Sequence, residues 1–165
     1  KEALATNETA PVMKKLADVL FSLRKTSEAI DVMNQTLILS PHDAAAYGTY
    51  AGFLQKAGKT TEALDAYNQS FRLSDNQPQL WSEYAGILTS IGRIEQAAGA
   101  YEHAINLGSS GSDVWNSYSR VLQKLGRKDE AQRAKEQAMN TYTPISSSMF
   151  GSNDNIPTCG IGSLC

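Results

Sequence analysis

Cysteine is nearly missing from this 165-residue chain, and the two present, Cys159 and Cys165, both fall at its far end. Neither can cross-link the body of the protein, so a disulfide framework is excluded, and the usage fits a reducing, cytoplasmic compartment. Histidine is as scarce. His42 and His103 are far apart, and with two remote cysteines they make no four-ligand zinc set, so no metal is expected. An excess of positive charge is lacking too: 15 Lys and Arg against 17 Asp and Glu leave a net charge of -2. There is thus no electrostatic footprint for phosphate backbones or acidic lipid surfaces, and neither nucleic acid nor a membrane is expected as a partner. No stretch approaches the roughly 20 apolar residues that cross a bilayer. Glycine-rich phosphate loops, a nucleophile elbow and paired catalytic carboxylates are also missing, so the chain does not read as an enzyme and implies no cofactor.

What the sequence has is repetition. Aligned against itself at an offset of 34, Met13, Tyr47, Trp81 and Trp115 fall into one column without a gap. Leu16, Tyr50, Tyr84 and Tyr118 form a second, and Ala17, Ala51, Ala85 and Ser119 a third of small residues. Leu20, Leu54, Leu88 and Leu122 follow, then Gly58, Gly92 and Gly126 with Arg24 as the exception. The second half of each copy repeats Ala29, Ala63, Ala97 and Ala131; then Met33, Tyr67, Tyr101 and Lys135; then Thr36, Ser70, Ala104 and Ala138. Within a copy the apolar positions recur three and four apart, and the glycine column interrupts them midway. Each copy is therefore a helical hairpin, with first helices expected near 10–23, 44–57, 78–91 and 112–125, and second helices near 26–39, 60–73, 94–107 and 128–141. Thr9, Asp43 and Ser112 are candidate N-caps, and Pro11 and Pro78 suit a first helical turn. Glu28, Glu62, Gln96 and Glu130 fall in the first turn of the second helices, where acidic side chains favour the helix dipole.

The column set, as it stands in Trp81, Tyr84, Ala85, Leu88, Gly92, Ala97, Tyr101 and Ala104, closely resembles the tetratricopeptide repeat (TPR) family. The resemblance covers residue 10 to about 143. It implies an all-α protein, a right-handed α-solenoid of about four helix-turn-helix repeats (10–43, 44–77, 78–111 and 112–143). Departures, Met13, Arg24 and Lys135, fall in the first and last copies, where arrays are commonly atypical. Ala3 and Leu4 stand about one period before Thr36 and Leu37, so residues 1–9 are expected to end a preceding repeat, which would make the chain part of a longer array. Residues 144–165 are rich in Gly, Ser, Asn and Pro, have no helical period and are expected to be an irregular tail. Met149, Phe150, Ile156, Ile161 and Leu164 are apolar anchors by which that tail could dock on its own solenoid or a neighbour's.

In this family the first helices line the concave face, and the resemblance implies that ligand contacts come from their unpacked faces. Those columns contain Lys14, Gly48, Ser82 and Asn116; Thr49 and Glu83; Asp18, Gly52, Gly86 and Arg120; and Phe21, Gln55, Thr89 and Gln123. Their middle is small, polar and largely uncharged. Gly48, Gly52 and Gly86 each cost about 1 kcal/mol inside a helix relative to alanine, a penalty that close approach of a ligand backbone would explain. Some family members grip a terminal carboxylate with Lys, Asn and Arg from such columns. Here Lys14 is followed by Asp18, Thr49 and Glu83, so that clamp is not expected. The implied function is a protein-protein interaction scaffold that holds an uncharged or partly apolar peptide or partner helix, with self-association through the tail as one form of it. The alternative is a recognition domain of a larger multidomain protein or enzyme.

Overall fold

The computed structural model describes residues 2–141, with side chains from residue 9 onward; the tail positions singled out above lie outside the described residues. Eight helices occupy the described chain: α1 Glu2–Ser22, α2 Thr26–Leu39, α3 Ala44–Lys56, α4 Thr60–Leu73, α5 Pro78–Ser90, α6 Ile94–Asn106, α7 Ser112–Lys124 and α8 Lys128–Thr141. They pair as α1–α2, α3–α4, α5–α6 and α7–α8, and the hairpins stack in order into an α-solenoid. Among the described residues no helix is long and apolar enough to cross a membrane.

The turn inside each hairpin is the same device four times. Gly58, Gly92 and Gly126 have φ of 78°, 82° and 76°, and Arg24 adopts φ 64° at the equivalent place. That left-handed residue closes the first helix with a Schellman pair of bonds: Gly58 N–H donates to Gln55 O at 3.0 Å and Lys59 N–H to Leu54 O at 2.9 Å. The equivalent long bonds run from Lys25 to Leu20, Arg93 to Leu88 and Arg127 to Leu122. So the leucine column supplies core and turn acceptor alike. The next residue is basic in all four copies, and it pairs with the glutamate three positions on in Lys25–Glu28, Lys59–Glu62 and Arg127–Glu130. Gln96 breaks the pattern in the third copy.

The small columns do what close packing requires. Ala17, Ala51, Ala85, Ala29, Ala63 and Ala97 are all fully buried. Ser119, in the first of those columns, stays satisfied by donating to Ala131 O at 2.7 Å across the α7–α8 hairpin.

Four local expectations are corrected. Residues 2–9 do not end a separate helix: α1 runs unbroken from Glu2 through Pro11, so Thr9 is not an N-cap and Pro11 lies in a helix interior. The Ala- and Glu-containing segment before Pro11 is a good helix former and continues the helix across the one missing N–H. Ser112 is likewise no cap. Gly111 holds that position, its carbonyl accepting from Val114 and Trp115, and Ser112 is the first helical residue. Pro78 does stand in the first turn of α5, and Asp43 does cap α3, accepting from Ala46 N–H at 2.9 Å.

Partial burial disfavours the Asp43 charge, but the Ala46 N–H and the Lys14 ammonium at 3.1 Å outweigh it and hold the carboxyl below the usual carboxylate range. A group depressed in the folded state stabilises fully above its unfolded pKa, near 4, and loses that contribution as pH falls through the folded value. Asp43→Ala should therefore cost about 1 kcal/mol at neutral pH. Urea titrations at neutral and strongly acidic pH check this, since the gap between variant and parent should shrink in acid.

The solenoid divides energetically between its second and third repeats. One core gathers Ala17, Met33, Leu54 and Tyr67; the other gathers Leu88, Tyr101, Val121 and Leu122. Leu64 and Tyr84 border both, and Ile87 of α5 reaches into the first. The α4–α5 connection, residues 74–77, is irregular: Ser74 is extended, Gln77 N–H donates to Asp75 O at 2.9 Å, and the left-handed turn found within the hairpins is not used. Helix α5 is held here chiefly by side chains. Phe71 and Trp81 stack at 3.9 Å and 6°, the Trp81 indole N–H donates to Asp75 O at 3.0 Å, and Gln77 Nε2 donates to the buried Ser70 hydroxyl at 2.9 Å. Ser70 in turn donates to Ala44 O at 2.7 Å, tying α4 to α3.

Candidate functional site

Where the halves meet, the first-helix face opens into a groove of about 670 Å³. One wall is aromatic, because Phe21 of α1 stacks on Phe53 of α3 at 4.4 Å and 12°. The floor is α3, with Gly48, Thr49, Gly52 and Gln55, and the far side is Leu80 and Glu83 of α5 with the loop residues Asn76 and Gln77.

The candidate columns divide on inspection. Phe21, Gly48, Thr49, Gly52, Gln55 and Glu83 all line this groove. Lys14 and Asp18 line a separate recess of about 340 Å³ with Pro11 and Asp43. Lys14 is engaged by Asp43 there, which removes it as an unattached cation for a ligand carboxylate. Ser82 and Thr89 hydroxyls donate to Gln79 O and Ala85 O on their own helix. A Cβ at Gly86 would stand 3.8 Å from the Tyr101 hydroxyl, ordinary van der Waals contact. Asn116, Arg120 and Gln123 are exposed on α7, with Arg120 donating to Ser117 Oγ at 3.2 Å, and none of the three lines the groove.

The glycines, grouped together by sequence, have different reasons to be glycine. A Cβ at Gly48 would stand 2.3 Å from Leu80 Cδ1, so Gly48 is the seat of a side chain from the next repeat. A Cβ at Gly52 would meet nothing within 4 Å. Only Gly52 presents bare helix to the open groove.

Two features of the site were hidden in the sequence. Leu80 stands in a column whose other members include Ala46 and Val114, both buried between repeats, so nothing marked it as a groove residue. Tyr67 stands in a packing column and is fully buried, yet its hydroxyl emerges at the groove edge, donating to Glu83 Oε2 at 2.9 Å with Gln55 Oε1 at 3.3 Å. Burial, reinforced by the Glu83 charge and the bond to it, pushes the phenol far above its ordinary pKa. It therefore remains a donor at any physiological pH, holding Glu83 and Gln55 side by side. Among the described residues no three His, Cys, Asp or Glu side chains come together as a metal set.

Both the repeated hairpin and the face it lines define a tetratricopeptide-type solenoid. Residues 14–143 match the tetratricopeptide repeat family, and the chain belongs to it. No curated protein sequence matches closely enough to be counted a relative. Among solved structures, the fold is similar to MamA (TM-score 0.75, 19% identity, 79% of this chain on 77% of that one). It is also similar to YrrB, described as a TPR protein with an unusual peptide-binding site (TM-score 0.72, 18% identity, 79% of this chain on 67% of that one). A third is the first TPR of Spaghetti (RPAP3), bound to the HSP90 peptide SRMEEVD (TM-score 0.69, 20% identity, 72% of this chain on 94% of that one).

Proposed function

We propose that this chain is a protein-interaction scaffold whose α1–α3–α5 groove holds an uncharged, partly apolar peptide segment of another protein. The observation that carries the reading is a groove of about 670 Å³ joining an aromatic wall, Phe21 and Phe53, to bare helix at Gly52. An apolar anchor against the two rings supplies affinity, and Thr49, Gln55 and Gln77 supply hydrogen-bonding groups along the bound backbone. Among the described residues, Lys56 and Glu83 are the ionisable side chains lining the groove and are of opposite sign, so their charges balance. An acidic peptide such as the one bound to the Spaghetti repeat has no matching cation set here, since Lys14 is paired with Asp43 and Arg120 lies elsewhere.

The test uses peptides selected from a random display library against the intact protein. Gly52→Ala adds a methyl to open space and should raise stability by about 1 kcal/mol while leaving the groove passable. Gly52→Arg should keep the fold and weaken the selected peptides at least tenfold by isothermal titration. Equal affinity for parent and Gly52→Arg would remove the groove as the site, and a selection dominated by acidic peptides would overturn the uncharged ligand.

A further inference from the structure

The first helix carries an apolar stripe that nothing in the described chain covers. Val12, Leu16 and Val19 of α1 and Leu23 of the turn just beyond it, whose N–H still donates to Val19 O at 3.0 Å, recur four, three and four apart and are 66%, 49%, 54% and 63% exposed. The Val12 and Val19 columns belong to the stacking surface of the other repeats, whereas the Leu23 column, Ala57, Ile91 and Leu125, is buried in none of them. Ala46 and Val114 answer to Val12, and Phe53, Ile87 and Val121 answer to Val19; all five are buried, the last three at 6%, 3% and 1% exposure. In repeats two to four the second helix of the preceding hairpin helps to cover this surface. Residues 2 to 22 form one helix with no turn, so the chain preceding Val12 does not fold back over the stripe.

We propose that the occupant is a second copy of this chain, its α1 laid antiparallel on the first across a two-fold axis between Ala17 and Asp18. The stripe is self-complementary under that operation. Its spacing reads the same in both directions, so Val12 meets the partner's Leu23, Leu16 meets the partner's Val19, and every contact joins a valine to a leucine. Lys15 and Asp18 flank the stripe with opposite signs, so no single-sign row opposes the pairing. Four side chains half or more exposed make a patch on the order of 400 Å², the size at which a monomer's largest patch is commonly functional. With Met13 and Leu20 beside it, the contact approaches the low end of the roughly 800 Å² per partner of a specific interface, and the dimer should be weak and reversible.

The opposite end of the solenoid does not offer the same surface. Among the described residues, α8 has Gln132 and Lys135 in the stacking columns and Met139 as its exposed large apolar side chain, so that helix offers no apolar face for head-to-tail stacking. The assembly closes as an isologous pair.

Sedimentation equilibrium of the full chain, with reductant present, tests this. At about 100 µM the mass should move toward twice 17.9 kDa, as mass action on a weak interface requires. Leu16→Lys and Val19→Glu should each be monomeric with unchanged helicity and melting temperature on dilution. Mixed in equal amounts they should associate again, because the introduced lysine of one copy then faces the introduced glutamate of the other while the second contact stays Leu against Val. A monomeric parent at that concentration, or failure of the mixture to associate, would overturn the two-fold. So would dimerisation lost on deleting residues 144–165 with the stripe intact. A fall in melting temperature of either dilute variant would also overturn it, since the stripe would then be covered within one chain.

Discussion

Trp81→Ala should lower the stability of the solenoid by about 3–5 kcal/mol and turn one unfolding transition into two. Burial alone would not put an incompletely buried indole at the top of that range. Its position does. The two cores meet at the irregular α4–α5 loop, and Trp81 fills that seam by stacking on Phe71 at 3.9 Å with the Tyr84 ring edge-on at 5.9 Å. Its indole N–H is divided between Asp75 O and Oδ1, at 3.0 and 3.1 Å, and Asp75 reaches on to His103 of α6 at 3.0 Å. Truncation empties the seam and frees the loop together. In a repeat protein, stability is a sum of hairpin and nearest-neighbour terms, so weakening one junction lets the halves melt separately. Trp115→Ala is the internal control, since it is half-buried in the same column but has no stacked neighbour; it contacts Tyr118 at 6.4 Å in a tilted arrangement. It should cost less and leave the transition single. Urea denaturation followed by circular dichroism and by tryptophan fluorescence separates the outcomes. A single transition with a loss below about 1 kcal/mol would mean that the seam is held by something other than the stack.

The repeat was legible because its causes are local and recur. A left-handed residue every 34 positions can be read as a turn, and a column of alanine can be read as close packing, before any coordinates exist; both are found where expected. The helix limits at the first repeat were not legible, because Pro11 suits a first turn and can also be carried inside a long helix, and only the surroundings decide. The groove was legible in part. Periodicity says which face a residue shares with its counterparts, and that brought out Phe21, Thr49, Gly52, Gln55 and Glu83. It treats all junctions as equivalent, whereas this chain has one junction unlike the others. The groove gathers at the α4–α5 junction, where residues 74–77 are irregular, and Asn116, Arg120 and Gln123, one repeat further on, lie outside it. Gly48 and Gly52 look alike in sequence for the same reason. One is filled by Leu80 from across the junction, and the other is open.

Tyr67 offers the second large effect, and here two substitutions separate packing from site geometry. Tyr67→Ala removes a fully buried aromatic ring from the first core and should cost about 3–5 kcal/mol. The ring lies 6.0 Å from Tyr84 and 6.2 Å from Phe71, so the cavity would open beside the Trp81 stack, and the two losses should not add. Tyr67→Phe keeps the ring and removes only the hydroxyl. Its acceptor Glu83, at 2.9 Å, and the neighbouring Gln55 Oε1, at 3.3 Å, both line the groove, so water can replace the lost donor and the stability cost should stay at about 1 kcal/mol. The consequence should instead appear in binding. With the phenol gone, the Glu83 carboxylate loses its donor and is free to swing away from Gln55 into the groove, where its charge would meet an uncharged ligand without a hydrogen bond from Tyr67. Selected uncharged peptides should bind Tyr67→Phe several-fold more weakly at unchanged fold, and Glu83→Gln in the same background should recover part of the loss. Titration of the three proteins with one peptide decides the matter: identical affinities would show that the buried phenol serves the core alone.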